Sequence, residues 1–355
     1  MRLRRWVLAS LVTLGVVVSC APGFDPPSSV TGLRVLGVDL DTPYAAPGAT
    51  VTFRMTVTDG LRDEEGNPRP LQLAWIGGCF NPQGDQYVLC LPQLADVFAG
   101  GFGSGTSSLV KLATAAPEDD GEPSAHSFTL ELPADLISSR PAPTEGPRYG
   151  VGYVFFAACA GTLAPADFSV STKTPEFPLL CLDADGSPQG AESFVPGYAQ
   201  VYAFADGRTN DNPPVAALTL DGMELPSDPA LAPTVPRCAV TEDERRKAGC
   251  AKKDLLETCK EHALDATIPD AAEPLYETGS EIGGALREAV WVNYYADGGE
   301  LDGAVRLVSD SSKGYLPEHN ATWLAPSQPG LVSVWAFARD QRGGQTPIRG
   351  YVRVE

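Results

Sequence analysis

Residues 50–60 read TVTFRMTVTDG, in which Val51, Phe53, Met55 and Val57 alternate with Thr52, Arg54, Thr56 and Thr58. A period of two puts one set of side chains in a dry core and the other in water, the pattern of a half-buried β-strand. The same kind of short run recurs along the chain. LRVLGVDLD and LQLAWIGGC flank it, and SSLVKLA, SFTLELP, GVGYVFFAAC and YAQVYAFAD follow. After a break come VAALTLDGMEL, EAVWVNYYAD, AVRLVSD, NATWLAP, LVSVWAFARD and RGYVRVE. The 36 glycines and 32 prolines supply the turns between them. Many short strands with frequent turn signals predict an all-β chain built of sandwiches.

Two of these runs are near copies: PGYAQVYAFAD at 196–206 and PGLVSVWAFARD at 329–340. Each is expected to be a late strand of its own sandwich, with the rings filling the layer between sheets and the alanines thinly covered. At 355 residues the chain is long enough for two such cores. GRTNDNPPVAALTLDG lies between the copies, and its Asn, Asp and paired prolines mark a linker. The expected division is 31–211 and 212–355. The second domain carries a Cys-rich, partly helical insertion at 237–262, which Thr241 and Glu244 open as a capping box.

The first 19 residues are a basic start and an apolar run from Trp6 to Val18, a secretory signal too short to span a bilayer comfortably. Val17, Val18, Ser19 and Cys20 resemble the lipobox of bacterial lipoproteins. That resemblance implies cleavage before Cys20, a diacylglycerol on its sulfur, and a Pro-rich tether over 20–30. Ala21 stands where inner-membrane lipoproteins usually carry Asp, which implies the outer membrane, on either face. APGATVTF, with Pro47 and Gly48, resembles the early strands of bacterial immunoglobulin-like domains. TWLAPSQPGLVSVWAFARDQRGG followed by YVRV is similar to their closing strands. The implied architecture is two immunoglobulin-like β-sandwiches in an envelope lipoprotein, a fold that names no chemistry by itself.

The formal charge is −19, and the chain without residues 1–19 carries 23 basic against 45 acidic side chains. Such a surface repels nucleic acid and anionic headgroups, so no nucleic-acid partner is expected and attachment to the membrane rests on the lipid. With Cys20 lipidated, Cys79, Cys90, Cys159, Cys181, Cys238, Cys250 and Cys259 remain in an oxidising compartment, enough for three disulfides and one thiol. Nearest neighbours pair Cys79 with Cys90 and Cys159 with Cys181. In one straight helix Cys250 and Cys259 would stand about 13 Å apart, beyond the roughly 7 Å disulfide limit, so Cys238 would take one of them unless Gly249 breaks the helix. A zinc site with His262 lacks the CxxC spacing, and neither a metal nor a cofactor is expected.

Catalytic constellations are sparse. His126, His262 and His319 lie in no triad context and are expected at the surface or in turns. GGFGSG at 100–105 fits neither a nucleophile elbow nor a phosphate loop. DADGS at 183–187 reads as a turn rather than a calcium loop. YADGGELDG offers Asp297, Glu300 and Asp302, which could bind or cleave a glycan with Trp323 beside them, or serve as oxygen ligands for calcium. An Asp-Gly-Gly hairpin explains the same residues. The reading is a lipid-anchored envelope protein that is no enzyme and acts by binding or scaffolding, toward an envelope protein or a glycan. The alternative is a glycan-binding or carbohydrate-active protein using Asp297, Glu300, Asp302 and a nearby tryptophan.

Overall fold

The computed structural model describes residues 26–92, 94, 109–115, 125–166, 177–248, 259–273 and 286–355; Cys20 and Cys250 lie outside them. In the first half the strands are β1 (Leu33–Leu40), β2 (Thr50–Asp59), β3 (Leu71–Phe80), β4 (Val110–Ala115) and β5 (Ser127–Glu131). They continue with β6 (Tyr149–Cys159), β7 (Thr162–Pro165), β8 (Leu179–Leu182) and β9 (Phe194–Phe204). One sheet runs β1-β2-β5 and the other β4-β3-β6-β9, with β7 and β8 as a separate hairpin. The predicted alternation in β2 holds: Val51, Phe53, Met55 and Val57 enter a core shared with Trp75, Phe128 and Phe156.

The second half contains β10 (Ala217–Leu220), β11 (Met223–Glu224), β12 (Thr234–Val235), helix α1 (Glu242–Ala248), β13 (Glu261–Thr267) and β14 (Val290–Ala296). Then come β15 (Glu300–Asp302), β16 (Val305–Asp310), β17 (Gly314–Tyr315), β18 (Ala321–Leu324), β19 (Gly330–Asp340) and β20 (Gln345–Val354). Its sheets run β11-β10-β13-β18-β15 and β12-β20-β19-β14-β16-β17 around one core that includes Tyr294, Trp323 and Val352. Both halves thus repeat one order, with β1, β2 and β5 matched by β10, β13 and β18, and β4, β3, β6 and β9 matched by β16, β14, β19 and β20. This is the two-sheet arrangement of immunoglobulin-like sandwiches.

The near copies are not equivalent strands. β9 closes the first domain, whereas β19 precedes the closing strand of the second, so its counterpart is β6. The orientation of the rings is also the reverse of that expected. Val201 and Ala203 face the first core, and Val334, Ala336 and Ala338 the second, while Tyr202, Phe204, Trp335 and Phe337 point outward. Small inner residues suit these strands because the facing sheet already delivers large side chains, Phe53 and Phe128 in one domain and Trp323 in the other.

Trp335 and Phe337 are nonetheless buried, under Val30, Leu36 and Tyr295. The end of the stretch read as a tether is pinned here: Val30 N–H donates to Ala296 O and Ala296 N–H to Ser28 O, at 2.9 and 3.0 Å. Arg339 Nη2 donates to Leu36 O, and Asn212 joins Leu40 O to Gln345 N–H. The two sandwiches therefore share a third, small core.

The insertion ends sooner than its expected limit at His262, because β13 begins at Glu261 and is a central strand. His262 is 1% exposed with Nδ1 2.9 Å from Asp221 Oδ2, and His319 is buried between the carbonyls of Leu316 and Ala266, so neither is a surface histidine. The capping box is present, with Thr241 N–H donating to Glu244 Oε2 and Glu244 N–H to Thr241 Oγ1. Disulfides join Cys79 to Cys90, Cys159 to Cys181 and Cys238 to Cys259, the last with Cα atoms 4.8 Å apart. DADGS is a turn in which Asp183 Oδ1 accepts the N–H groups of Asp185 and Ser187.

Candidate functional site

The expected cluster in YADGGELDG does not form a ligand-facing site. β15 pairs with β18 rather than with β14, so the Asp-Gly-Gly stretch is a corner that carries the chain from one sheet to the other, not a hairpin. Gly299 has φ +82°, and a Cβ there would meet Leu324 O at 2.2 Å, so the corner admits only glycine. Asp297 Oδ1 accepts Ser333 N–H at 2.8 Å, which fastens the corner to β19. Glu300 Oε2 lies 3.0 Å from Nε of Arg245, a residue of α1 that is only 1% exposed. Asp302 is exposed opposite Thr322. Trp323 is fully buried, its indole N–H on Gly298 O, and offers no face to a ligand.

Among the described residues the exposed aromatic side chains are Tyr87 and Tyr198, the latter on the outer face of β9. Along this edge strand Tyr198, Gln200, Tyr202 and Phe204 share the side opposite Val201 and Ala203. At about 3.3 Å per residue, Tyr198 and Tyr202 stand roughly 13 Å apart and the row from 198 to 204 spans roughly 20 Å. Beside it, the outer residues of β6, Val151, Tyr153 and Phe155, are buried in a satellite core with Leu91 and the two disulfides of this domain. The cover over β6 includes the short turns Gln83–Asp85 and Tyr87–Cys90, which Cys79–Cys90 ties to β3. Asn81 locks it further, its side chain accepting from Val151 N–H and donating to Leu136 O. Tyr198 beyond it remains 42% exposed.

Tyr87 projects from this cover and stacks on Tyr198, with ring centroids 4.3 Å apart and planes at 23°. At the other end Tyr44 approaches Phe204 at 4.8 Å, and Tyr149 approaches Tyr202 at 6.1 Å. The Arg140 guanidinium lies 4.0 Å over Tyr149, and that of Arg208 4.9 Å over Phe204. Asp85 binds both Arg140 and the Tyr149 hydroxyl. Desolvation acts upward on its carboxyl, but these hydrogen bonds outweigh it and hold the pKa below the usual carboxylate value. Burial raises the phenols of Tyr202 and Tyr44, the latter to about 12, so both stay neutral hydrogen-bond donors at physiological pH.

At Tyr198 the row opens into a groove of about 430 Å³ between the domains, lined on the far side by Trp291, Arg339 and Gln345. Arg339 donates to Asn293 and to Leu36 O, while its Nε is buried with no hydrogen bond. The surface therefore combines flat apolar rings with phenol, amide and guanidinium donors. Among the described residues no group of three or more His, Cys, Asp or Glu is disposed to hold a metal ion. A sequence signal for the row existed in Gln200, which has the same parity as Tyr198, Tyr202 and Phe204 and marks their face as wet. Ser333 and Arg339 mark the ring face of β19 in the same way.

No family model matches this chain, and no curated protein matches it. Solved structures similar to it include the D00-D0 domain of intimin, at 12% identity and TM-score 0.22, covering 90% of this chain and 100% of that one. Fibronectin(III)-like modules of CbhA from Clostridium thermocellum are 11% identical with TM-score 0.19, covering 90% and 94%. Dimeric latent PorU from Porphyromonas gingivalis is 11% identical with TM-score 0.20, covering 92% of this chain and 24% of its own. Likenesses this low add nothing to the fold, which rests on the strand order and the cores.

Proposed function

We propose that this chain is an envelope protein held at the outer membrane by a lipid on Cys20, that it acts by binding and not by catalysis, and that its ligand is an extended glycan lying along β9. The observation that carries the glycan reading is the row on the outer face of β9, in which Tyr198 is exposed and Tyr202 and Phe204 are half-buried, extended by the exposed Tyr87 and the half-buried Tyr44, on a sheet face that a free-standing sandwich would keep polar. A pyranose presents a flat C–H face that stacks on such rings and a rim of hydroxyls for Gln200, the phenols and the arginines. The length of the row suits several sugars rather than one, and the groove past Tyr198 lets the chain continue. A multi-chain lipid at Cys20 would hold the module at a bilayer without any basic patch.

Co-sedimentation with insoluble envelope polysaccharide tests the ligand. Tyr198→Ala and Tyr202→Ala should each weaken binding about five- to tenfold, the worth of one ring contact, and Asp302→Ala should change nothing. Binding that survives both tyrosine changes, or an envelope protein captured by the wild type and lost with them, would replace the glycan reading. Separately, Cys20→Ala should release the protein from membranes.

A further inference from the structure

The second sandwich contains a cleft of about 320 Å³ where the connecting segment 211–214 crosses residues 268–273. Its volume lies at the lower end of small-molecule sites. Pro213, Ile268, Val290 and Val308 form apolar walls, and the ring of Tyr315 closes one side. Two buried polar residues also line it: Ser309, 1% exposed, and Glu288, 3% exposed.

Each keeps one oxygen without a hydrogen bond. Ser309 Oγ is buried and makes no hydrogen bond. Glu288 Oε1 accepts Glu273 N–H at 2.8 Å, but Oε2 makes no hydrogen bond, and the Nη1 of Arg342, 3.4 Å away, is held more closely by Glu273 at 2.6 Å. Buried acceptors are nearly always hydrogen-bonded, so two buried oxygens without a hydrogen bond in one cleft, one of them touched only by a guanidinium that Glu273 holds more closely, point to a further donor. Burial raises the Glu288 carboxyl pKa, a cost that an incoming cation would offset. Four carboxylates, Asp211, Asp270, Glu273 and Glu288, line the cleft. Arg287, paired with Asp270, and Arg342 are the guanidiniums that face them, which leaves the site net negative.

We propose that this cleft binds a small organic cation, a primary ammonium on a short apolar body, with its N–H groups on Glu288 Oε2 and Ser309 Oγ. The ammonium supplies donors to two acceptors at once. The prolines, valines and Tyr315 cover the carbon body. A bare metal ion would leave those walls unused, and the described acids are not disposed around one point.

Titration calorimetry on the full-length protein in detergent tests the site, with phenethylammonium chloride as the probe and 2-phenylethanol as its uncharged match. The amine should bind saturably and at least about tenfold more tightly than the alcohol, the worth of one charge-assisted hydrogen bond. Glu288→Gln and Ser309→Ala should each weaken the amine by about the same factor. Should Glu288→Gln not fold, Ser309→Ala deletes only a hydroxyl that bonds nothing, and the exposed Asp211→Asn tests the charge alone. No heat with the amine, equal binding of the alcohol, or affinity unchanged in the variants would overturn the proposal.

Discussion

Asp39 shows how one side chain can oppose the fold that contains it. Its carboxylate is largely withdrawn from water, 3.7 Å from the exposed Arg54, and desolvation outweighs that cation, pushing the pKa from 3.8 up to about 6. Between about pH 4 and 6 the folded protein therefore holds a proton that the unfolded chain has released. Stability falls as pH rises through that window, and above it the buried charge is a constant cost. Asp39→Asn should raise the unfolding free energy by about 1–3 kcal/mol near pH 7.5 and give no gain near pH 4, as denaturant titrations at the two pH values would show. Nothing in LRVLGVDLD signals this burial. By contrast, the outward face of β9 could have been read from Gln200, since an amide between two rings of the same parity shows which side is wet. A preference for placing large aromatics inside obscured it.

The long strands were legible because their alternation runs for six residues or more, as in β2, β14 and β19. β7, β12, β15 and β17 have two to four residues and carry no period at all. β13 is the instructive miss. EHALDAT alternates correctly, with His262, Leu264 and Ala266 inside, but its charged outer residues and alanines resemble a continuation of the helical insertion. The helix itself is tied down by Arg245, whose buried guanidinium meets Glu242, Glu300 and the Val240 carbonyl. Glu300 is thus an anchor for α1 rather than half of a carboxylate pair. Glu300→Ala should cost about 1–3 kcal/mol, by leaving a buried cation short of a partner, and hydrogen exchange should quicken first at residues 242–248.

The shared core between the sandwiches makes the pair one mechanical body. Trp335 and Phe337 are 3% and 0% exposed, yet no contact within their own sandwich's main core accounts for this; Val30 and Leu36 complete the cover. Trp335→Ala should weaken the junction by about 3–5 kcal/mol, as for any buried large-to-small change. Calorimetry of that variant should resolve two thermal transitions where the parent shows one. Position alone could not reveal the junction in the sequence, since residues 28–30 contact a partner more than 260 positions away.

That docking also decides where tension would enter the molecule. Only seven residues separate Cys20 from Ser28, a leash no longer than about 28 Å when fully extended. With the proposed lipid in a bilayer, a pull on any captured strand would therefore reach the membrane through the waist between the two sandwiches, and neither would serve as a link in a chain. Load would shear the Val30 and Ala296 hydrogen bonds before it reached a sheet interior, so the first thing to yield under force would be the grip between modules and not the modules.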